Sequence, residues 1–163
     1  MRVYLWSRSE ADAASASSAM TAVQEHYSYQ VIRQFAVASG IWGVLGRGMG
    51  AFLAAQLVWP ELNFNLPWTS FGRIRPIHTS LVIFAFGGCV LFASSLFVVQ
   101  RTCRTRLISD SVAQWVFWGW QVCMVAIIAT YPLGYTTSKE YAEMEWHIAV
   151  LMKAVCLGDT YLF

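Results

Sequence analysis

The chain has 163 residues, of which 57% are apolar and only 12% charged, with eight tryptophans, seven tyrosines and ten phenylalanines. A charged share about half that of an ordinary soluble domain excludes a soluble globular fold. The net charge of +2 gives no reason to expect a nucleic-acid partner. What remains is an integral membrane protein: all-α, a polytopic transmembrane helix bundle with three full spans and a partial fourth. The four cysteines, Cys89, Cys103, Cys123 and Cys156, show no C-x-x-C or metal-type spacing and read as small apolar filler.

Residues 1–28 form a polar lead-in without an apolar run long enough for a signal-peptide core. Ala13 to Ala22 is almost all Ala, Ser and Thr and is expected to be disordered. Met20 is an attractive alternative start, which would make residues 1–19 an upstream extension, and His26 reads as a solvated side chain. The membrane domain is expected over residues 29–163. Its first span is Val31 to Val58, in which Ser39, Gly43, Gly46, Gly50 and Ala54 recur at steps of three and four. That spacing puts small residues on one helix face and lets a second helix approach closely. Arg47 interrupts the span, and a mid-membrane arginine costs about 2.5–3.5 kcal/mol on insertion scales.

Trp59 to Ile74 reads as a loop, with Pro60 and Pro67 as breakers and Trp59 and Trp68 at the membrane surface. The second span is Pro76 to Val99, 24 residues or roughly 36 Å of helix against a hydrocarbon core of about 30 Å. Pro76 is expected in its first turn, and Gly87–Gly88 at its centre predicts a tight helix contact. Arg101, Arg104 and Arg106 against Asp110 make the next loop the most basic one, hence cytoplasmic. The third span is Val112 to Leu133. A loop with Lys139, Glu140, Glu143 and Glu145 follows, and His147 to Phe163 begins to re-enter but is short for a span and carries Lys153 and Asp159. The N-terminus is therefore expected inside.

One constellation carries chemistry: Arg73-x-Arg75-x-x-His78. The two cations lie on the outer side, against the positive-inside trend, so they need another reason to be there. An ionisable residue inside a span is a functional-site hypothesis by default. A neutral imidazole is a good axial ligand for haem iron, and arginines one turn outside it suit the two propionate carboxylates of a haem. Leu81, Val82, Ala85 and Cys89 continue the His78 face and offer a surface for a flat macrocycle. A plainer reading stands beside this one: His78 bonds a backbone carbonyl at the helix start, and the arginines meet lipid headgroups. No second histidine lies on another full span; His147, at the edge of the fourth stretch, is the one other candidate and reads more simply as an interfacial residue.

The segments YSYQVIRQFAV, FLAAQLVWPELNFNLPWTSFGRIRPIHTS, VIFAFGGCVLFA, VVQRTCRTRLISDS, FWGWQ and PLGYTTSKEYAEMEW, spread from Tyr27 to Trp146, closely resemble the N-terminal part of the catalytic subunit I of cbb₃-type cytochrome c oxidases, the C-family of haem–copper oxygen reductases. The resemblance implies a piece of a twelve-helix subunit that holds low-spin haem b, high-spin haem b₃ and copper in a bacterial inner membrane. It implies oxygen reduction to water with electrons from cytochrome c, proton pumping, and cytochrome c subunits as partners. It makes His78, in the R-P-x-H motif, an axial ligand of the low-spin haem iron and puts Arg75 near the propionates, while Arg73 is left with electrostatic support alone.

The remaining ligands of that family lie in later helices, so this chain is expected to contribute no catalytic residue and to be inactive alone. Arg47 stands where the family pattern is apolar, His147 where proline is expected, and the likeness fades after Trp146. A truncated or frameshifted copy, or a partial sequence, accounts for that. The competing function is a small non-catalytic membrane protein that packs through its glycine face and binds no haem.

Overall fold

A computed structural model describes residues 12–19, 27–139 and 143–162 of the protein, and these are helical with short connections and no strand among them. After a short helix over residues 12–19, four longer helices follow in order: α1 (Tyr29–Val58), α2 (Phe71–Cys103), α3 (Asp110–Leu133) and α4 (Trp146–Tyr161). The first three are long and apolar enough to cross a membrane. At 16 residues α4 reaches only about 24 Å, short of the hydrocarbon core, so it remains a partial fourth element.

Two expectations need correction. The Ala/Ser-rich lead-in is helical and exposed over residues 12–19, because alanine has the highest helix propensity; the hydroxyls of Ser15 and Ser18 are satisfied within the helix by the carbonyls of Asp12 and Ala14. Met20 and His26 lie outside the described residues, as do Glu140 and Phe163. Helix α2 begins at Phe71, so Pro76 is inside the helix and not in its first turn. The loop before it is correspondingly shorter, and it is wound into two 3₁₀ turns, Pro60–Asn63 and Pro67–Thr69. Gln56, 3% exposed at the end of α1, ties that loop down by donating to the carbonyls of Thr69 and Leu62.

Soon after Pro76 the helix widens into a π-helical segment, Leu81–Gly88. Such segments alter the phase of the faces on either side of them. Here the segment is pinned from α3: the Trp120 indole N–H donates to the Phe84 carbonyl at 3.2 Å, and its ring covers Gly88. An added Cβ at Gly88 would lie 2.4 Å from the Trp120 ring, which explains the glycine at that depth.

The core is an aromatic cluster with members on all three spans. Phe35 is fully buried, stacks on Phe92 at 5.1 Å and meets Phe117 edge-on at 5.0 Å; Phe92 in turn meets Trp120 at 4.8 Å. The glycine face of α1 packs on α2 as expected: a Cβ at Gly43 would be 3.0 Å from Phe86, and one at Gly46 would be 3.2 Å from Val82. Side-chain amides add polar bridges between helices, with Trp42 Nε1 donating to Gln121 Oε1 at 2.8 Å and Gln114 Nε2 to Gln34 Oε1 at 3.0 Å. Cys89 and Cys123 are buried in this core as filler.

The ends of α3 have sequence causes. Ser109 caps the first turn by accepting from the Val112 N–H, and Asp110 faces the positive end of the helix dipole. Gly134, at φ +90°, ends the helix with a paired set of bonds, Gly134 N–H to Tyr131 O and Tyr135 N–H to Thr130 O. On α4, Gly158 admits the Trp115 ring, while Gly119 of α3 admits Val155.

Gly88→Val should destabilise the bundle by about 1–3 kcal/mol, as overpacking of a filled core does. Reversible unfolding in mixed detergent checks this; an unchanged midpoint contradicts the Trp120–Gly88 contact.

Candidate functional site

His78 lies two turns into α2, half-buried against α1. Its Nδ1 is 2.8 Å from the Gly46 carbonyl oxygen. A carbonyl can only accept, so Nδ1 carries the proton, and in the neutral ring the lone pair is left on Nε2. Among the described residues Nε2 has no hydrogen-bond partner. The ring occupies the space over Gly50, where an added Cβ would fall 2.6 Å from Cε1. Two glycines one turn apart on α1 therefore serve the imidazole in different ways. Gly50 makes room for it, and Gly46 supplies the acceptor that fixes tautomer and orientation. Sequence reading noted the spacing of these glycines for packing alone; the same i, i+4 step was the signal for a pocket of imidazole size.

Metal-bound histidines ordinarily donate their other ring N–H to a carboxylate, a backbone carbonyl or water. The donor set at His78 thus fits one axial ligand of an iron porphyrin. The carbonyl contact of the plainer reading is also present, and it occupies Nδ1 alone.

The two arginines part company. Arg73 turns to α3: its Nη1 donates to the Pro132 carbonyl at 3.1 Å, and the guanidinium packs on Gly134, where an added Cβ would be 2.1 Å from Nη1. It satisfies an end carbonyl of α3 and meets the negative end of the helix dipole. Arg75 is exposed, one turn of helix outward from His78, and its carbonyl accepts from the Thr79 hydroxyl.

The face expected to carry a macrocycle divides. Leu81, Ala85 and Cys89 are 4%, 0% and 0% exposed, buried in the bundle core, and leave no surface for one. Leu81 and Ala85 lie in the π segment and Cys89 directly follows it, all on the side that faces the core. The exposed continuation of His78 is Val82 and Phe86, which border a groove of about 300 Å³ with Gly40, Gly43, Val44 and Arg47 of α1. Arg47 is exposed on this groove, and among the described residues it has no ion-pair partner.

His147 does not join the site. Its ring stacks on Trp146 at 4.0 Å and its Nδ1 is 3.3 Å from Glu145 Oε2. Among the described residues, no group of three or more His, Cys, Asp or Glu side chains comes together to hold a metal ion.

The family model for cytochrome C and quinol oxidase polypeptide I matches residues 30–159. The chain belongs to this family. It is 54% identical over 143 residues to the cbb₃-type cytochrome c oxidase subunit CcoN1 of Stutzerimonas stutzeri, covering 88% of this chain and 30% of that protein. It is 54% identical over 106 residues to the bacteroid cytochrome c oxidase subunit 1 homologue of Bradyrhizobium diazoefficiens, covering 65% of this chain and 19% of that one. Cytochrome c oxidase subunit 1 of Rhodobacter capsulatus is 44% identical over 143 residues, 86% of this chain and 27% of its relative. The chain thus spans less than a third of the length of these oxidase relatives. Its residues 30–159, which include Arg75, Pro76 and His78, fall within the matched part of the family.

Arg73→Met keeps the apolar stem and removes the donor to Pro132. Amide exchange at Gly134 and Tyr135 should quicken about tenfold, the low end for loss of a charged hydrogen bond at a half-buried site. Unchanged exchange contradicts the capping role.

Proposed function

We infer that this chain is part of a terminal respiratory oxidase, one that oxidises cytochrome c, reduces oxygen to water and pumps protons, and that its contribution is one axial ligand of a low-spin haem b. The observation that carries the reading is the bond between His78 Nδ1 and the Gly46 carbonyl, which leaves Nε2 to face a metal. When bound, the haem supplies one-electron transfer. The chain's own residues do the holding: His78 presents a neutral imidazole, α1 fixes its ring, and Arg75 meets the propionates at the outer surface. Arg73, engaged with α3, serves the site by keeping the ends of α2 and α3 together.

On this reading haem b₃ and copper belong to parts of a complete subunit beyond these residues, and the chain alone does not reduce oxygen. Cytochrome c subunits are its partners in the complex. Three spans fit a multi-pass protein, of the bacterial inner membrane by kinship with the relatives. The basic end formed by Arg101, Arg104 and Arg106 favours a cytoplasmic N-terminus. The competing reading, a membrane protein that packs through its glycines and binds no haem, shares the α1–α2 contact and differs only in what Nε2 meets.

The chain purified in detergent and supplied with haem b should give a reduced-minus-oxidised band of a b-type haem held by a single histidine. His78→Ala should abolish it; a band that survives the substitution, or no band from the unsubstituted chain, favours the packing protein. Arg75→Gln should weaken haem retention about tenfold while leaving the band position in place, as loss of a charge-assisted hydrogen bond at an exposed rim does. Unchanged retention contradicts the propionate role.

A further inference from the structure

We propose that the opposite end of the bundle holds an anionic phospholipid, with its phosphate in a polar cavity between the starts of α1 and α3 and an acyl chain in the groove that continues from it. This site is independent of the haem reading.

The cavity has a volume of about 570 Å³ and is lined by Tyr27, Ser28, Arg33, Arg106, Asp110 and Gln114 together with the first turn of α1. Next to it lies a second space of about 340 Å³, lined by Arg33, Gln34, Val37, Ala38, Ile41, Phe117 and Trp118. Arg33 lines both, so the two form one path with a cation at the junction. The bridge from Gln114 to Gln34 marks the level at which polar lining gives way to apolar lining. Beyond that level Phe117 and Ala38 form a buried floor, while Val37, Ile41 and Trp118 are 59%, 57% and 60% exposed and form the walls. A charged mouth above an apolar trench matches the two ends of a lipid, whereas a free anion would need only the mouth.

Charge favours an anionic headgroup. Arg106 is paired with Asp110, so these two largely cancel. Arg33 is exposed and has no ion-pair partner among the described residues, and Arg101 lies 5.8 Å from the ring of Tyr27, which lines the cavity. The first turn of α1 adds the positive end of a helix dipole to the same space. Each basic residue near a membrane surface is worth about 1 kcal/mol of attraction for anionic lipid, or about fivefold in affinity.

The test uses the full chain in neutral detergent micelles and follows tryptophan quenching by acyl-brominated phosphatidylglycerol against brominated phosphatidylcholine. The anionic lipid should quench at about fivefold lower concentration. Trp118→Phe should remove the part of the quenching that differs between the two lipids, Arg33→Gln should bring the two lipids level, and Arg33→Lys should keep much of the preference. Helix content by circular dichroism confirms that each variant is folded; Arg33 is exposed, so its replacement disturbs no packing. Equal quenching by both lipids in the unsubstituted chain overturns the proposal, as does a preference that survives Arg33→Gln.

Discussion

The contact between the His78 ring and two glycines of α1 is the constraint on which the site depends. It joins an ionisable side chain in one span to the backbone of another, at a depth where water is scarce and a carbonyl is the natural acceptor. Everything nearby is arranged to permit it. Gly43, Gly46 and Gly50 bring α1 close to α2, and the face they form accepts Phe86, Val82 and His78 in turn. A side chain at Gly50 would collide with the imidazole itself, and one at Gly43 or Gly46 would crowd Phe86 or Val82.

The rest of the bundle holds α2 in that position. Trp120 of α3 reaches the π segment directly below the histidine turn and bonds a carbonyl there, while Arg73, above it, bonds the last turn of α3. The histidine is thus bracketed along its own helix by two ties to the same neighbour. The stacked rings of Phe35 and Phe92 complete the triangle by joining α1 to α2 at the level of Trp120. In a membrane, where burial of apolar surface adds little to helix association, such shape contacts and interhelical hydrogen bonds carry the packing.

Much of this was legible in the sequence because bilayer thickness and backbone satisfaction constrain it strongly. The three spans, the short fourth helix and the glycine face of α1 all follow from lengths, small-residue spacing and the cost of polar groups in lipid. Three features were not legible. The helix start at Phe71 escaped notice because Pro76 looked like a first-turn proline, and the five residues before it carry two arginines and a glycine. The π segment has no composition signal, and Leu81, Ala85 and Cys89, which simple helical phase puts beside His78, face the core. The separate directions of Arg73, toward the end of α3, and Arg75, toward the outside, depend on where α3 ends, a tertiary fact that no local motif records. The helix over residues 12–19 shows the opposite failure, a composition read as disorder whose alanines favour a helix.

The most direct measurement is the tautomer of His78 in the lipid-embedded chain, read by nitrogen magnetic resonance on histidine-labelled protein and assigned by loss of the signal in His78→Gln. The account predicts a proton on Nδ1 and a bare Nε2, the reverse of the form that free imidazole side chains prefer in water. A proton on Nε2 would mean that the Gly46 bond is not made and that the ring has no lone pair to offer a metal on its open side.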